Sequence, residues 1–89
     1  MDKKQSERIH AKRRALERYD LNFTKTIRNQ IKSKIQKNDG TFLYRQSRRV
    51  TVWQVAYEDI LLKVVYDTLR GEIVTFLPQE TEEVRRQDA

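Results

Sequence analysis

Up to Gly40 the apolar residues of this chain recur three and four positions apart; beyond it they alternate, so a helical half is followed by a strand half. Residues 6–19 are rich in Ala, Leu, Arg, Lys and Glu and contain no Gly or Pro, which favours helix. Ser6 is a candidate N-cap, with Ile9 as the first core residue. At about 100° per residue, Ile9, Ala11, Ala15, Leu16 and Tyr19 cover one broad side of that helix. Residues 20–23 break the pattern, and Asn22 or Thr24 can cap a second helix. Over 25–37, Ile27, Ile31 and Ile35 form a narrow apolar seam with Lys25, Arg28, Lys32, Lys34 and Lys37 off it, the pattern of an amphipathic helix. Asn38-Asp39-Gly40 stops this helix, and Gly40 suits the left-handed cap position.

Four strands are expected after the change of period. The first spans 41–46, with Phe42 and Tyr44 on one side and Leu43 on the other; the second spans 49–57. Glu58-Asp59 is a tight polar break before a strand over 60–67, apolar enough on both sides to be central. Residues 67–71 read as a hairpin loop with Gly71 left-handed, and a last strand over 72–77 ends at Pro78. Strands joined by such short links pair antiparallel in chain order, and the two helices are the elements available to cover them. The expected architecture is α+β: two N-terminal helices packed on a four-stranded antiparallel meander. Residues 1–78 form one domain, and 79–89, charged with Val84 as the one apolar core candidate, form a flexible tail or a frayed helical turn.

Charge sharpens the picture. Hydrophobic residues make up 37% of the chain and charged residues 36%, too apolar for a disordered composition. The net charge of +6 is concentrated in residues 1–37, which hold 12 Lys and Arg against 4 Asp and Glu. A basic helical half beside a neutral strand half suits a polyanion, nucleic acid above all, although an ordinary solvated face has the same composition. With no cysteine and a single histidine, thiolate metal sites and zinc are not expected, and no cofactor is implied. No signal peptide or membrane-spanning run is evident, so a cytoplasmic protein with no membrane partner is expected.

The one histidine sits in the densest arginine run. His10, Arg14 and Arg18 are spaced i, i+4, i+8 along the border of the first helix, so an imidazole and two guanidiniums lie side by side. Histidine is the residue type suited to accept a proton near neutrality, and His10 is the one in this chain. Arg14 and Arg18 can hold a phosphate by bidentate hydrogen bonds.

A family resemblance rests on two stretches. His10-Ala11-Lys12-Arg13-Arg14 with Glu17-Arg18-Tyr19 is similar to the His-Ala-x-x-Arg…Glu-Arg opening of small phage and bacterial domains. Val64-Val65-Tyr66-Asp67 followed by Gly71-Glu72-Ile73-Val74-Thr75-Phe76-Leu77-Pro78 is similar to their closing strands. Over roughly residues 6–78 the chain resembles the barnase–EndoU–colicin–RelE group of metal-independent ribonucleases. The resemblance implies RNA as partner and His10, Arg14 and Thr75 as catalytic residues. Arg45, Arg48 and Tyr66 stand at positions where such folds place further phosphate-contacting groups. Tyr19 departs from the pattern, replacing a glycine after Glu-Arg.

Metal-free RNA cleavage needs a base for the 2′-hydroxyl, an acid for the leaving oxygen and donors for the phosphorane charge. His10 supplies the first and the arginines the last; Thr75 or Tyr66 can position the substrate, and the acid would have to come from Glu17, Tyr66 or a lysine. Against this, His10 and Arg14 equally suit a structural role holding helix to sheet. Trp53, Tyr44 and Tyr57 can stack bases or simply pack, and Arg48-Arg49 can contact RNA or protect a sheet edge. Two functional classes therefore stand side by side: an RNA-cleaving or RNA-binding domain of phage or toxin type, and a non-enzymatic basic protein that binds and modulates a host protein or nucleic-acid complex. Sequence-specific DNA binding is disfavoured, because residues 20–23 make no convincing helix-turn-helix turn.

Overall fold

The computed structural model describes residues 3–79, with side chains from residue 8 onward. Helices α1 (Lys3–Tyr19) and α2 (Lys25–Gln36) precede strands β1 (Thr41–Arg45), β2 (Val50–Tyr57), β3 (Ile60–Asp67) and β4 (Glu72–Leu77). The strands form one antiparallel sheet in the order β1-β2-β3-β4. The expected two-helix, four-stranded α+β meander is the observed fold. The tail expected over 80–89 lies outside the described residues.

Both helices cover one face of the sheet, hereafter the helix face. Ala11 and Ala15 of α1, Ile31 and Ile35 of α2, and Leu21 and Phe23 between them meet Val55, Leu62, Val64, Tyr66, Ile73 and Phe76 in one buried cluster. Phe76 is its largest fully buried side chain, edge-on to Phe23 at 4.9 Å and to Tyr19 at 6.2 Å between ring centres. The core-facing side of α1 is narrower than its pattern predicts. Ile9 and Leu16 are 50% and 56% exposed, while two alanines and Tyr19 make the contact. Small residues let the helix axis approach β4 closely, which carries its neighbours at Ile9 and Leu16 off the sheet. Helix α1 also begins at Lys3, so Ser6 lies within it and is not its N-cap.

The helix ends are locally determined. Thr24 caps α2 as expected, its Oγ1 accepting from the Ile27 N–H at 3.2 Å. At the other end Asn38, not Gly40, takes the left-handed conformation (φ 62°). The Asp39 N–H reaches the Lys34 carbonyl and the Asn38 N–H that of Ile35, the paired bonds of a Schellman cap. Gly40 serves closeness instead: a Cβ there would lie 3.1 Å from the Gln54 carbonyl and 3.2 Å from a Val55 methyl. Gly71 is left-handed as expected (φ 65°).

At the end of α1 the Tyr19 hydroxyl reaches the sheet. It donates to the Leu77 carbonyl and accepts from the Lys63 N–H at 3.1 Å, bridging β4 and β3 where their ladder opens. Tyr19→Phe is expected to lower stability by about 1–2 kcal/mol, because two strand groups lose a partner that water replaces poorly. Chemical denaturation of the two proteins checks it, and a difference under about 0.5 kcal/mol would show the bridge to be idle. Glu58, between β2 and β3, holds φ 55° without a glycine's freedom. Glu58→Gly is expected to raise stability by about 0.5–1 kcal/mol, read as a higher melting temperature.

Two β-bulges depart from the alternation that the sequence pattern implies. In β1 the register slips at Leu43, so Phe42 pairs with Trp53 and Tyr44 with its neighbour Val52. Phe42 and Tyr44 therefore stand on opposite faces rather than on one. In β4 the slip falls at Val74: Ile73 pairs with Tyr66, Thr75 with Val65. The extra residue lets Ile73 and Phe76, three apart, both enter the core, and it turns Thr75 to the opposite face.

Candidate nucleic-acid interface

The seven candidate site residues fall into three groups. His10 and Arg18 are exposed on α1; Arg14 lies between them, half-buried, its guanidinium bonded to Glu17 at 2.8 Å. The i, i+4, i+8 strip thus exists on the surface, with its middle cation already holding a carboxylate. Tyr66 belongs to the interior. It is 6% exposed, within the core cluster, and its hydroxyl accepts from Gln36 Nε2 at 3.0 Å. That hydroxyl is thereby already engaged within the protein.

Arg45 at the end of β1, Arg48 in the link that follows and Thr75 of β4 make up the third group; Thr75 lies on the face that the helices leave uncovered, while Arg45 pairs with Thr51 and so stands on the other face. On the uncovered back face Val52, Val65 and Thr75 pair across three strands, and an open hollow of about 460 Å³ lies beside them. Gln46 and Ser47 from the β1–β2 link, Val50 and Val65 from the central strands, and Val74, Thr75 and Leu77 from β4 line it. The link is tightly held: the N–H groups of Gln46 and Ser47 share the Val50 carbonyl, and Arg45 donates to the Arg48 carbonyl at 2.7 Å. Both arginines are exposed, one on each side of Gln46 and Ser47 in the chain. Thr75 Oγ1 is buried without a hydrogen-bond partner among the described residues, an arrangement that ordinarily costs stability.

No α1 residue lines this hollow. Phe76 meets Tyr19 on the helix face while Thr75 points to the other, so His10 and Arg14 are not gathered with Thr75 there. The cause is the single extra residue at Val74; strict alternation would have placed Thr75 beside Ile73, under the helices. The aromatic candidates also divide. Trp53 packs on Phe42 at 5.5 Å, and its indole N–H is bonded to Thr51 Oγ1, while Tyr57 packs against the core. Tyr44, 45% exposed, stands open on the back face.

Electrostatically the helices dominate. Arg8, Lys12, Arg13, Arg18, Lys25 and Lys37 are exposed, and no ion pair among the described residues engages them; Glu17, Glu72, Asp39 and Asp67 pair instead with Arg14, Lys32, Lys34 and Arg49. Sequence reading missed Gln46, Ser47 and Val50 as a wall, because nothing in a polar link next to a strand marks it as concave. Among the described residues no group of three His, Cys, Asp or Glu is placed to hold a metal ion, and no helix is long and apolar enough to cross a membrane.

The chain matches no family model, no curated protein and no solved structure.

Proposed function

We propose that this protein is an RNA-binding domain that attracts the phosphate backbone to its helical side. The observation that carries this reading is the set of six exposed Lys and Arg side chains on and beside α1 and α2, left without acidic partners among the described residues. Cations with no internal counter-charge hold diffuse counterions, and a polyanion that displaces them gains the entropy of their release. The resemblance to metal-independent ribonucleases supports RNA as the polymer. Binding is favoured over cleavage because the Thr75 hollow receives nothing from α1, so the trio that cleavage would draw on is divided by the sheet.

Titration of labelled single-stranded RNA at several salt concentrations tests this. Affinity should fall steeply between about 50 and 200 mM salt, and Lys12→Glu with Arg13→Glu should reduce the logarithmic salt slope by about 2. A slope near zero, or one unchanged by that pair, would end the proposal. The same RNA should stay intact in chelator. Cleavage that disappears in His10→Ala would replace binding by catalysis as the function.

A second reading rests on a separate observation. Ile9 and Leu16, two turns apart and half exposed, form an apolar surface beside Lys12 and Arg13, as a protein contact would require. If α1 docks on a host protein, cross-linking in cells should yield a partner that Ile9→Lys with Leu16→Lys loses while RNA affinity is retained.

A further inference from the structure

Around the back-face hollow, charge and polarity are separated in a way the helical surface does not explain. Its walls are apolar, from Val50, Val65, Val74 and Leu77. Its polar groups are all neutral and able both to donate and to accept: the Gln46 amide and the Ser47 and Thr75 hydroxyls. Among the described residues no cation lines it; Arg45 and Arg48 are exposed and flank Gln46 and Ser47 in the chain. A buried carboxylate or phosphate would need a cation within the walls, so the interior does not suit an anion. It suits a flat, neutral heterocycle whose edge carries both donors and acceptors, attached to an anion that remains outside. A nucleotide has that division of chemistry.

We infer that this hollow takes one unstacked base of a single-stranded RNA, with the adjoining phosphate held by Arg48. The inference rests on the RNA-binding reading and adds a second, base-contacting subsite to it. Size agrees, since about 460 Å³ falls within the range of small-ligand sites and admits a base but no duplex. The base edge supplies the partner that the Thr75 hydroxyl lacks within the protein. Tyr44, exposed on the same face at the level of Val52, offers a ring to the neighbouring base. Arg45 acts indirectly: its bond to the Arg48 carbonyl holds the link in the shape that forms the wall.

The experiment monitors side-chain methyl resonances of the whole protein during titration with uridine and adenosine monophosphates, and with inorganic phosphate as the control. The nucleotides should shift Val50, Val65, Val74, Thr75 and Leu77, and phosphate alone should not. Thr75→Val keeps the side-chain shape without the hydroxyl and should weaken the nucleotide about fivefold, the worth of one hydrogen bond. Ser47→Trp, at an exposed link position, should fill the mouth and abolish the shifts while the far-ultraviolet dichroism stays unchanged. Shifts confined to α1, or affinity indifferent to both substitutions, would overturn the inference. If RNA still binds with its steep salt dependence in that case, the RNA-binding reading survives without the base site. If nucleotides shift the hollow but RNA does not bind, the RNA-binding reading fails and takes with it the inference that an RNA base occupies the hollow.

Discussion

Phe76→Ala is expected to destabilise the protein by about 3–5 kcal/mol, the range for removing a fully buried aromatic ring from a core. Domains of this kind have roughly 5–15 kcal/mol in all, so the variant should melt some 15–30 °C lower or fail to fold at ordinary temperature. The size of the effect comes from where the ring sits. Phe76 is fully buried against Phe23 from the inter-helix segment and Tyr19 from the end of α1, so one side chain joins α1 and the segment leading to α2 to the edge strand. Little can collapse into the void, because its other neighbours are side chains on a hydrogen-bonded sheet. Trp53, the single tryptophan, reports unfolding by fluorescence. Leu61→Ala is the control: Leu61 is 49% exposed and should cost under about 1 kcal/mol. Equal losses in the two variants would mean that the helices do not depend on β4 for their packing.

Much of this fold was legible from the chain, and the reasons can be traced element by element. The bounds of β3 and β4 come from runs that end in Asp67 and Pro78, and α2 from three isoleucines at intervals of four and a threonine cap. What escaped depended on tertiary facts. A helical pattern shows which residues are apolar but not how close the helix lies to its sheet; the close approach through Ala11 and Ala15 is what leaves Ile9 and Leu16 outside. The left-handed cap after α2 falls at Asn38, and Gly40 stands two residues later, where a Cβ would crowd the Gln54 carbonyl at 3.1 Å.

The site was less legible than the fold, and one residue accounts for most of the difference. Period-2 reading puts Ile73, Thr75 and Leu77 on one face; the bulge at Val74 breaks that line and turns Thr75 away from the helices. No local signal marks Val74 as the extra residue, since Val is an ordinary strand former. It is selected because Ile73 and Phe76 both reach the core only if the register slips between them. A hydroxyl expected near His10 therefore joins Gln46 and Ser47 in a different concavity, with no contribution from α1.

Asp67→Ala should bring the second-largest loss, about 2–3 kcal/mol, although it removes no apolar volume from the core. The carboxylate is 3% exposed at the end of β3. Its Oδ1 accepts from the N–H groups of Leu69 and Arg70 at 3.0 and 3.1 Å, which folds the β3–β4 turn. Its Oδ2 lies 3.3 Å from Arg49 Nε, and Arg49 is itself tied to the turn by Thr68, whose N–H and hydroxyl both donate to the Arg49 carbonyl. One side chain thus fixes a hairpin turn and the residue that precedes Val50 in the hollow wall. Hydrogen bonds to a charged group are worth about 1.5–3 kcal/mol each, but Leu69 is exposed and Arg49 is 43% exposed, so water recovers part of the loss. Asp67→Asn separates the contributions, because its amide oxygen can still accept both turn N–H groups while the charge facing Arg49 is gone. It should cost about 1 kcal/mol, and high salt should shrink that gap, since the ion pair is partly open to screening. The remaining difference between Asn and Ala should be insensitive to salt. Were Asn to cost as much as Ala, the charge and not the turn would be what Asp67 contributes, and faster amide exchange at Leu69 and Arg70 would then appear in both variants rather than in Ala alone.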